Sequence, residues 1–372
     1  MTIERMCLSD LLGDFVVYRN LEPSDRRVRG LSAIHAELGL PAGRIPRKSE
    51  PEYAAAVVHL LQQAQSVRGA GCSLARLLYI GDTRLNDGTA ARHLARHLTM
   101  RAFIGEDRPQ EPVRFKVQDE IVFANRWTAL GDFLRWVPGQ GFAVDAATAV
   151  VLDLDKTAIG ARGRNDKPID QARVDAALDI ARSTLGEGFR IEAFRPIYDE
   201  LHKPAYHFIT TDNQDYLVYI SLMASAGLYD RDALLADLQA KRLTTFEEFV
   251  AVCEHRLQDF PALQPIHTEV ASNLRRGDPT PFKSFRYREY ECTLARMDKL
   301  PDDTPREQLL AQEITLTREV ADAAIELDER GALLFGLSDK PDEASLPRPE
   351  LAQRGYAPLH HVTLKVIGPN DG

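Results

Sequence analysis

The sequence feature that most constrains the fold is a short apolar run, residues 148–157, which contains two aspartates one residue apart. It reads Thr-Ala-Val-Val-Leu-Asp-Leu-Asp-Lys-Thr. Such a run is typical of a strand buried in a parallel sheet, and ligands bind beyond the carboxyl ends of those strands. Because side chains at i and i+2 of a strand point the same way, Asp153 and Asp155 should lie close together. Paired carboxylates favour a hard cation such as Mg²⁺, although aspartates at strand ends also cap helices.

Composition restricts the remaining classes of protein. The 372 residues allow one large domain or two ordinary ones, and 44% hydrophobic with 27% charged residues is typical of a globular protein. A net charge of -9 argues against sequence-independent binding of nucleic acid. The four cysteines are too scattered for a disulfide framework or a Cys-x-x-Cys metal site. With no apolar run of about 20 residues and no signal peptide, the sequence predicts a cytoplasmic protein without a membrane partner.

The hydrophobic pattern predicts an α/β fold with an inserted helical segment. Strands and helices alternate up to residue 157 and strand patterns return after residue 331, as in a parallel sheet covered on both faces. Between them, apolar residues recur at helical spacing. We therefore predict a three-layer, Rossmann-like parallel sheet formed by residues 1–165 and 313–372, with a helical cap at 166–312. The predicted strands are residues 15–18, 74–80, 100–104, 332–337 and 361–367, and the predicted helices are residues 26–40, 51–67, 89–98, 127–137, 172–185, 216–228, 231–238, 245–257 and 308–323.

Polar motifs follow three of the predicted strands. Besides the two aspartates, Gly-Asp-Thr-Arg-Leu-Asn-Asp follows one strand at residues 81–87, and Ser-Asp-Lys-Pro follows another at residues 338–341. Together these motifs resemble the haloacid dehalogenase-like (HAD) superfamily of Mg²⁺-dependent phosphatases and phosphotransferases. Residues 153–157 match the first motif of that family, residues 338–341 look like the second, and residues 81–87 are similar to the fourth. Lys48 stands where the basic residue of the third motif is expected.

The order of the motifs differs from that in ordinary members of the family. Those run first, second, third and fourth, whereas this chain runs third, fourth, first, cap and second. The difference is a rotation, so the resemblance implies a circular permutation of a HAD-like core. Domain termini often lie close together on the surface, which is why permutation is tolerated. The permutation predicts that residues near the two ends of the chain meet in space.

The resemblance also implies a role for each motif residue. Asp153 would be the nucleophile that forms an aspartyl-phosphate, and Asp155 would be the general acid and base, which favours phosphate chemistry over dehalogenation. Ser338 and Lys48 would bind a phosphoryl oxygen. The implied Mg²⁺ ligands are Asp82, Asp153 and the backbone carbonyl of Asp155, with support from Asp87. The residues expected at the substrate are Thr157, Arg162, Arg164 and Asp339.

Two of the motifs have alternative assignments. Residues 206–211 also resemble a strand that ends in threonine, so Thr210 could stand in place of Ser338 as the second-motif residue. Lys116 or Lys365 could serve as the third-motif residue in place of Lys48.

Other polar groups allow a structural or a functional interpretation. Arg162 and Arg164 are placed either to meet a substrate anion or to lie on the surface. A basic cluster with interleaved aromatic residues, 275–288, is interpreted as a solvated helix face, with an anionic substrate or a nucleic-acid strand as the alternative. His360 and His361 lack further metal-ligand spacing, so we expect a structural role for them.

These features predict a Mg²⁺-dependent phosphatase that hydrolyses a small phosphomonoester through an aspartyl-phosphate. A phosphotransferase or phosphomutase of the same fold is the first alternative, with a sugar hydroxyl in place of water. The second is a non-catalytic HAD-like module that binds an anionic partner such as RNA. The negative net charge and the intact pair Asp153 and Asp155 argue against that module. The sequence carries no signature of a particular substrate or oligomeric state.

Overall fold

The structure is a computed structural model that describes residues 3–369, and in that range it contains ten strands and sixteen α-helices. The strands are β1 (Arg5–Met6), β2 (Val16–Val17), β3 (Arg76–Gly81), β4 (Thr99–Gly105), β5 (Phe115–Gln118), β6 (Ile121–Ala124), β7 (Thr148–Asp153), β8 (Leu316–Thr317), β9 (Leu333–Leu337) and β10 (Leu364–Ile367). The helices are α1 (Leu8–Leu12), α2 (Leu31–Ile34), α3 (Pro51–Val67), α4 (Asn86–Leu94), α5 (Ala129–Gly139), α6 (Lys167–Leu185), α7 (Ile191–Leu201), α8 (His207–Thr210), α9 (Gln214–Ser225), α10 (Arg231–Gln239), α11 (Phe246–Glu254), α12 (Gln264–Arg275), α13 (Lys283–Leu294), α14 (Arg306–Gln312), α15 (Arg318–Glu329) and α16 (Pro349–Ala352).

The larger sheet has seven strands, and β7 lies inside it between β9 and β3. Its strand order is β2-β9-β7-β3-β4-β6-β5, and all neighbouring strands are parallel except the β5–β6 hairpin. Every residue of β7 is buried, which explains the uninterrupted apolar sequence of this strand. The register pairs Ile80 with Leu152 and Asp153 with Leu337. The carboxyl ends of β3, β7 and β9 therefore lie side by side.

Helices pack on both faces of this sheet. On one face, α3 and α4 share an apolar core with Tyr79, Val151 and Phe335. Alternate strand residues point to the other face. There Phe103 packs on Phe133 of α5, with ring centroids 5.7 Å apart, and α5 also contacts α15. The predicted α/β class is confirmed, with a mostly parallel sheet between helices.

A second, small sheet joins the two ends of the described chain. Its order is β1-β10-β8, with β1 antiparallel and β8 parallel to β10. Arg5 pairs with Lys365 in the register of β1 and β10, and the Arg5 guanidinium forms ion pairs with Asp298 and Asp302. Lys365 is fully buried and lies 2.8 Å from the carboxylate of Glu313. The prediction that residues near the two ends meet is confirmed.

The chain divides into two compact units. The first contains residues 3–172 and 293–369 and carries both sheets, and the second, residues 173–292, is helical. The second unit has its own apolar core, in which Tyr219 contacts Phe246, Phe249 and Phe282 edge-on. The boundaries lie within α6 and α13, whereas the sequence pattern predicts them at 165–166 and 312–313. Because each of these helices continues through a boundary, hydrophobic periodicity does not mark it.

The helix predicted for residues 26–40 is wrong, since only α2 is helical in that range. Side-chain carboxylates accept hydrogen bonds from backbone N–H groups in this range. The Glu22 carboxylate accepts the Ser32 N–H at 2.7 Å, and the Asp25 carboxylate accepts the Arg27 N–H at 2.9 Å. Such local hydrogen bonds compete with helix formation.

Two further predictions are wrong for tertiary reasons. Residues 308–323 do not form one helix, because Thr315 donates both its N–H and its hydroxyl to Asn165 at 2.9 Å and β8 then pairs with β10. Residues 206–211 are helical instead of a strand, and Thr210 donates its hydroxyl to the Tyr206 carbonyl. The β5–β6 hairpin has no predicted counterpart. Among residues 3–369, every helix is too short or too polar to span a lipid bilayer.

Candidate functional site

Three buried aspartates, which we call the acid cluster, meet at the carboxyl edge of the larger sheet. Asp153 ends β7, Asp82 directly follows β3, and Asp87 lies in the first turn of α4. Each offers a carboxylate oxygen within 4.8 Å of the others. The pairing of β3 with β7 brings these residues together, although they lie far apart in the sequence.

Lys48 is a buried cation that lies against two carboxylates of the acid cluster. Its side chain is 5% exposed, and its Nζ lies 2.6 Å from Oδ1 of Asp153 and 2.5 Å from Oδ1 of Asp87. Burial alone would lower the pKa of Lys48, but the two carboxylates raise this pKa well above its ordinary value. The loop before α3 therefore supplies a constant positive charge. Of the two alternatives for the third motif, Lys365 lies in the small sheet and Lys116 lies on β5.

The carboxylate of Asp153 is held from two sides. Thr157 donates its hydroxyl to Oδ2 at 2.8 Å, and Lys48 donates to Oδ1. Burial and repulsion by Asp87 raise the pKa of Asp153 to about 7, against the lowering effect of Lys48 and Thr157. Since a nucleophilic carboxylate must be ionised, added positive charge here would favour its reactive form. Thr157 thus acts on Asp153, while the sequence predicts it at the substrate.

Asp87 closes the turn between β3 and α4. Its carboxylate accepts hydrogen bonds from the Tyr79 hydroxyl at 2.8 Å, the Thr83 hydroxyl at 2.7 Å and the Thr83 N–H at 2.8 Å. Burial would raise the pKa of Asp87, but Lys48 and side-chain hydrogen bonds with Asp82 and Thr83 lower it below its ordinary range. Asp87 therefore stays ionised and orients the turn that carries Asp82.

Among the three carboxylates of the acid cluster, the negative charge of Asp82 is offset least by its surroundings. Its pKa is raised well above the ordinary value by burial and by repulsion from Asp153 and Asp87, while its ion pair with Arg162 has the opposite effect. Among residues 3–369, the three carboxylates form ion pairs with two cations, Lys48 and Arg162, so the acid cluster has one negative charge more than it has cationic partners. Carboxylate oxygens are the ligands that hard divalent cations prefer, so the donor set fits an ion such as Mg²⁺.

The second-motif strand ends beside the acid cluster. Ser338 follows Leu337, which pairs with Asp153, and the Ser338 hydroxyl accepts the Lys340 N–H at 3.1 Å. Ser338 is buried, whereas Asp339 is exposed and offers its backbone carbonyl to Arg19. Ser338 is thus the second-motif candidate that lies in the sheet, whereas Thr210 belongs to the helical unit.

Lys340 is a residue of this site that the sequence reasoning missed. Its side chain is 2% exposed, and its Nζ lies 3.7 Å from Oδ2 of Asp155. The Asp155 side chain is 18% exposed and is not one of the three clustered carboxylates. A lysine two residues after Ser338, next to a rigid proline, is the signal that could have identified it.

The two arginines after the first motif have different surroundings. Arg162 reaches the acid cluster through its ion pair with Asp82. Arg164 instead lies between Asp107 and Glu319, each at 2.7 Å, and is 7% exposed. It holds the loop that carries Arg162 against the core.

His360 and His361 belong to a separate polar group near the small sheet. The Asp14 carboxylate lies 3.3 Å from Nε2 of His360 and 2.8 Å from Nε2 of His361, and the Tyr18 hydroxyl lies 3.1 Å from Nδ1 of His360. His360 is fully buried, and burial lowers its pKa to about 4. The neutral imidazole therefore joins the loop before β2 to the turn before β10.

The basic cluster of the second unit does not form a free cationic face. Arg286 is buried between Asp215 at 2.9 Å and Glu289 at 2.6 Å. Arg288 pairs with Glu291 at 2.7 Å. The predicted solvated helix face is therefore wrong for Arg286, whose charge neutralises buried acids.

Comparisons with known proteins found no match: no family model fits the chain, and neither a curated protein nor a solved structure resembles it.

Proposed function

We propose that this protein is a Mg²⁺-dependent phosphatase of the HAD type, which hydrolyses a phosphomonoester through an aspartyl-phosphate on Asp153. The observation that carries the proposal is the acid cluster with Lys48 inside it. A carboxylate at a strand end, a buried lysine and two further acids in the segment that follows the adjacent strand are the groups that this chemistry needs.

The arrangement of the strands supports the proposal. The strands of the first, second and fourth motifs are the neighbours β7, β9 and β3, and the polar residues of each lie at the same edge. The pairing of β1 with β10 supports the circular permutation, because the two ends of a permuted chain come from one point of the unpermuted chain and should therefore lie close together. The helical second unit follows the first motif in the sequence, where the resemblance implies a cap.

In the first half-reaction, a carboxylate oxygen of Asp153 attacks phosphorus and forms a new P–O bond while the ester P–O bond breaks. Asp155 gives its proton to the departing oxygen, and Lys48 and Ser338 hold the phosphoryl oxygens. In the second half-reaction, water attacks phosphorus and gives a proton to Asp155. The P–O bond to Asp153 breaks, so phosphate is released and Asp153 is restored. Mg²⁺ held by the acid cluster would stabilise the charge on the phosphoryl oxygens.

Asp155 is the residue that favours phosphate chemistry over dehalogenation, because it can serve as the general acid and base. Lys340 fixes its carboxylate outside the acid cluster, where it can exchange a proton with a leaving group or with water. The phosphotransferase alternative uses the same residues and differs only in the acceptor. The RNA-binding alternative loses support from the ion pairs of Arg286 and Arg288.

The test is turnover of p-nitrophenyl phosphate with Mg²⁺ and with excess EDTA, in the wild type and in Asp153→Asn. We expect the variant to lose about a thousandfold or more in kcat, since the nucleophile is removed. The matched control is Asp132→Asn, an aspartate on α5 whose side chain is 60% exposed, and it should keep wild-type activity. Turnover that survives in Asp153→Asn, or that is indifferent to EDTA, would refute the proposal.

A further inference from the structure

We propose that the substrate carries a second anionic group, a phosphate or a carboxylate, and that Arg84 and Lys116 bind it in a cavity beside the acid cluster. This inference rests on the proposed function and deepens it by naming the substrate class. The reacting phosphoryl group lies at Asp153, and the second anion lies over β4 and the β5–β6 hairpin.

The cavity reaches the acid cluster at Asp82. It has a volume of about 540 Å³ and extends from Asp82 and Arg162 over Gly105 to Phe123 and Ala124. These residues lie at the carboxyl ends of β3, β4 and β6, the edge at which open α/β sheets bind ligands. The volume suits a ligand the size of a phosphorylated sugar or a nucleotide.

The walls of the cavity carry more positive than negative charge. Five cationic side chains line it, namely Arg84, Arg108, Arg114, Lys116 and Arg162. Arg162 pairs with Asp82, and both Arg108 and Arg114 pair with Glu111. Within residues 3–369, no carboxylate lies within 4.0 Å of the charged nitrogens of Arg84 or Lys116. These two charges are therefore available to a ligand.

The two uncompensated cations both neighbour Phe123, Arg84 through its guanidinium and Lys116 as the cross-strand partner of this residue. The guanidinium of Arg84 lies 4.0 Å from the centroid of Phe123, which holds this long side chain over the cavity. Lys116 pairs with Phe123 across the β5–β6 hairpin, and residues directly opposite in an antiparallel pair present their side chains on one face. A single anion above Phe123 can thus contact both cations.

A substrate with a neutral leaving group would leave Arg84 and Lys116 without a partner. The phosphoryl group to be transferred has its own cations at Lys48 and at the acid cluster. A second phosphate or a carboxylate on the same molecule explains why further cations line a cavity that reaches Asp82. The chemical class is therefore a small bisphosphate or a phosphorylated carboxylic acid.

The test measures binding in Asp153→Asn, so that turnover does not interfere. Calorimetry compares fructose 1,6-bisphosphate with fructose 6-phosphate, and 3-phosphoglycerate with glycerol 3-phosphate. We expect the doubly anionic member of at least one pair to bind about tenfold more tightly, since one charge-assisted contact contributes roughly that factor. The first pair reports a preference for phosphate and the second a preference for carboxylate.

Added substitutions test the two residues. Lys116→Glu and Arg84→Met should each abolish the preference and leave binding of the singly phosphorylated ligand within about twofold. The control is Arg96→Glu, an exposed arginine just before β4 and thus at the opposite edge of the sheet. If neither pair shows a preference, or if Arg96→Glu weakens it as much as Lys116→Glu, the inference is wrong.

The outcomes separate this inference from the proposed function. A preference that depends on Lys116, in a protein that turns over no phosphomonoester, would keep the anion site and refute the phosphatase. Turnover of p-nitrophenyl phosphate with no preference for a second anion would support the phosphatase and refute the anion site. Lys116 is exposed on β5, so circular dichroism should find Lys116→Glu folded, and Arg84→Met gives an independent reading.

Discussion

At the scale of single residues, burial decides what each charged group can do. Lys48 and His360 are both buried bases, yet the carboxylates around Lys48 raise its pKa while the surroundings of His360 lower the pKa of the imidazole to about 4. Lys48 touches two carboxylates, whereas His360 shares Asp14 with His361, a second base that repels added charge. The same desolvation therefore produces a constant cation at one site and a neutral ring at the other.

Burial of His360 predicts a pH-dependent stability. Because the pKa of His360 is about 4 in the folded state and 6.5 is its ordinary value, the unfolded chain binds a proton that the folded chain does not. The contribution is complete above pH 6.5 and is lost as the pH falls from 6.5 towards 4. At pH 5 we expect a loss of about 2 kcal/mol in the free energy of unfolding relative to pH 7.5.

Urea unfolding of the wild type and of His360→Gln at both pH values measures this loss. The glutamine has no titrating group, so the difference between the two pH values should shrink by that amount. His97→Gln, which changes an exposed histidine, should behave like the wild type. An unchanged pH dependence in His360→Gln would show that other groups produce it.

At the scale of elements, the loop after β7 joins the candidate site to the core. The Arg162 carbonyl accepts the Asp107 N–H at 2.9 Å and the Trp127 indole N–H at 3.2 Å, so the backbone at Arg162 is fixed. Gly163 adopts a positive φ of 79° next to it, and a Cβ there would overlap the carbonyl oxygen of Asp107. The close approach of the two loops therefore requires glycine.

Gly163→Ala should displace this loop and its ion pair with Asp82. We expect a loss of stability well above the cost of about 1 kcal/mol for a positive φ alone, together with reduced turnover. Gly141→Ala is the matched control, because Gly141 has φ +68° but nothing within 4 Å of an added Cβ. Chemical denaturation and p-nitrophenyl phosphate turnover measure both effects, and equal losses in the two variants would contradict the role given to the contact with Asp107.

At the scale of the whole molecule, the chain closes on itself in the small sheet. β1 and β10 pair, and Lys365 is buried between Glu313 at 2.8 Å and Asp298 at 3.0 Å. These contacts hold residues from the two ends next to one another, so a connection between them costs little loop entropy.

This closure predicts that the chain can be opened elsewhere. A permutant that joins residue 369 to residue 3 by a Gly/Ser linker of about eight residues, and begins at Gly141, would run in the order first motif, second unit, second, third and fourth motifs. Residues 139–141 are exposed, so we expect it to fold with a stability within about 2 kcal/mol of the wild type.

The control permutant opens the chain between Val150 and Val151, inside the buried strand β7, and should not fold. Thermal unfolding followed by circular dichroism compares the two. If the permutant that begins at Gly141 fails as well, the pairing of β1 with β10 does not make the ends interchangeable.

The sequence by itself determined the elements whose local pattern is unambiguous. The apolar run of β7 and the long periodic helix α3 were predictable, because a buried parallel strand and an amphipathic helix have distinct periods. The meeting of Asp82 and Asp153 was predictable too, because carboxyl ends of parallel strands share one edge, whereas Asp155, which the pattern places beside Asp153, is not one of the three clustered carboxylates. The helix predicted for residues 26–40 is wrong because the carboxylates of Glu22 and Asp25 accept hydrogen bonds from backbone N–H groups there, and local periodicity does not reveal such contacts.

Only the tertiary structure decided which charges are partners. The sequence offered three lysines for the third motif. In the structure, Lys48 lies against two buried carboxylates, Lys116 is exposed on a hairpin and Lys365 is buried in the small sheet. The contact of Lys340 with Asp155 and the burial of Arg286 are likewise absent from any local pattern. Electrostatic energy depends on distance and on burial in three dimensions, and a linear chain specifies both only once it is folded.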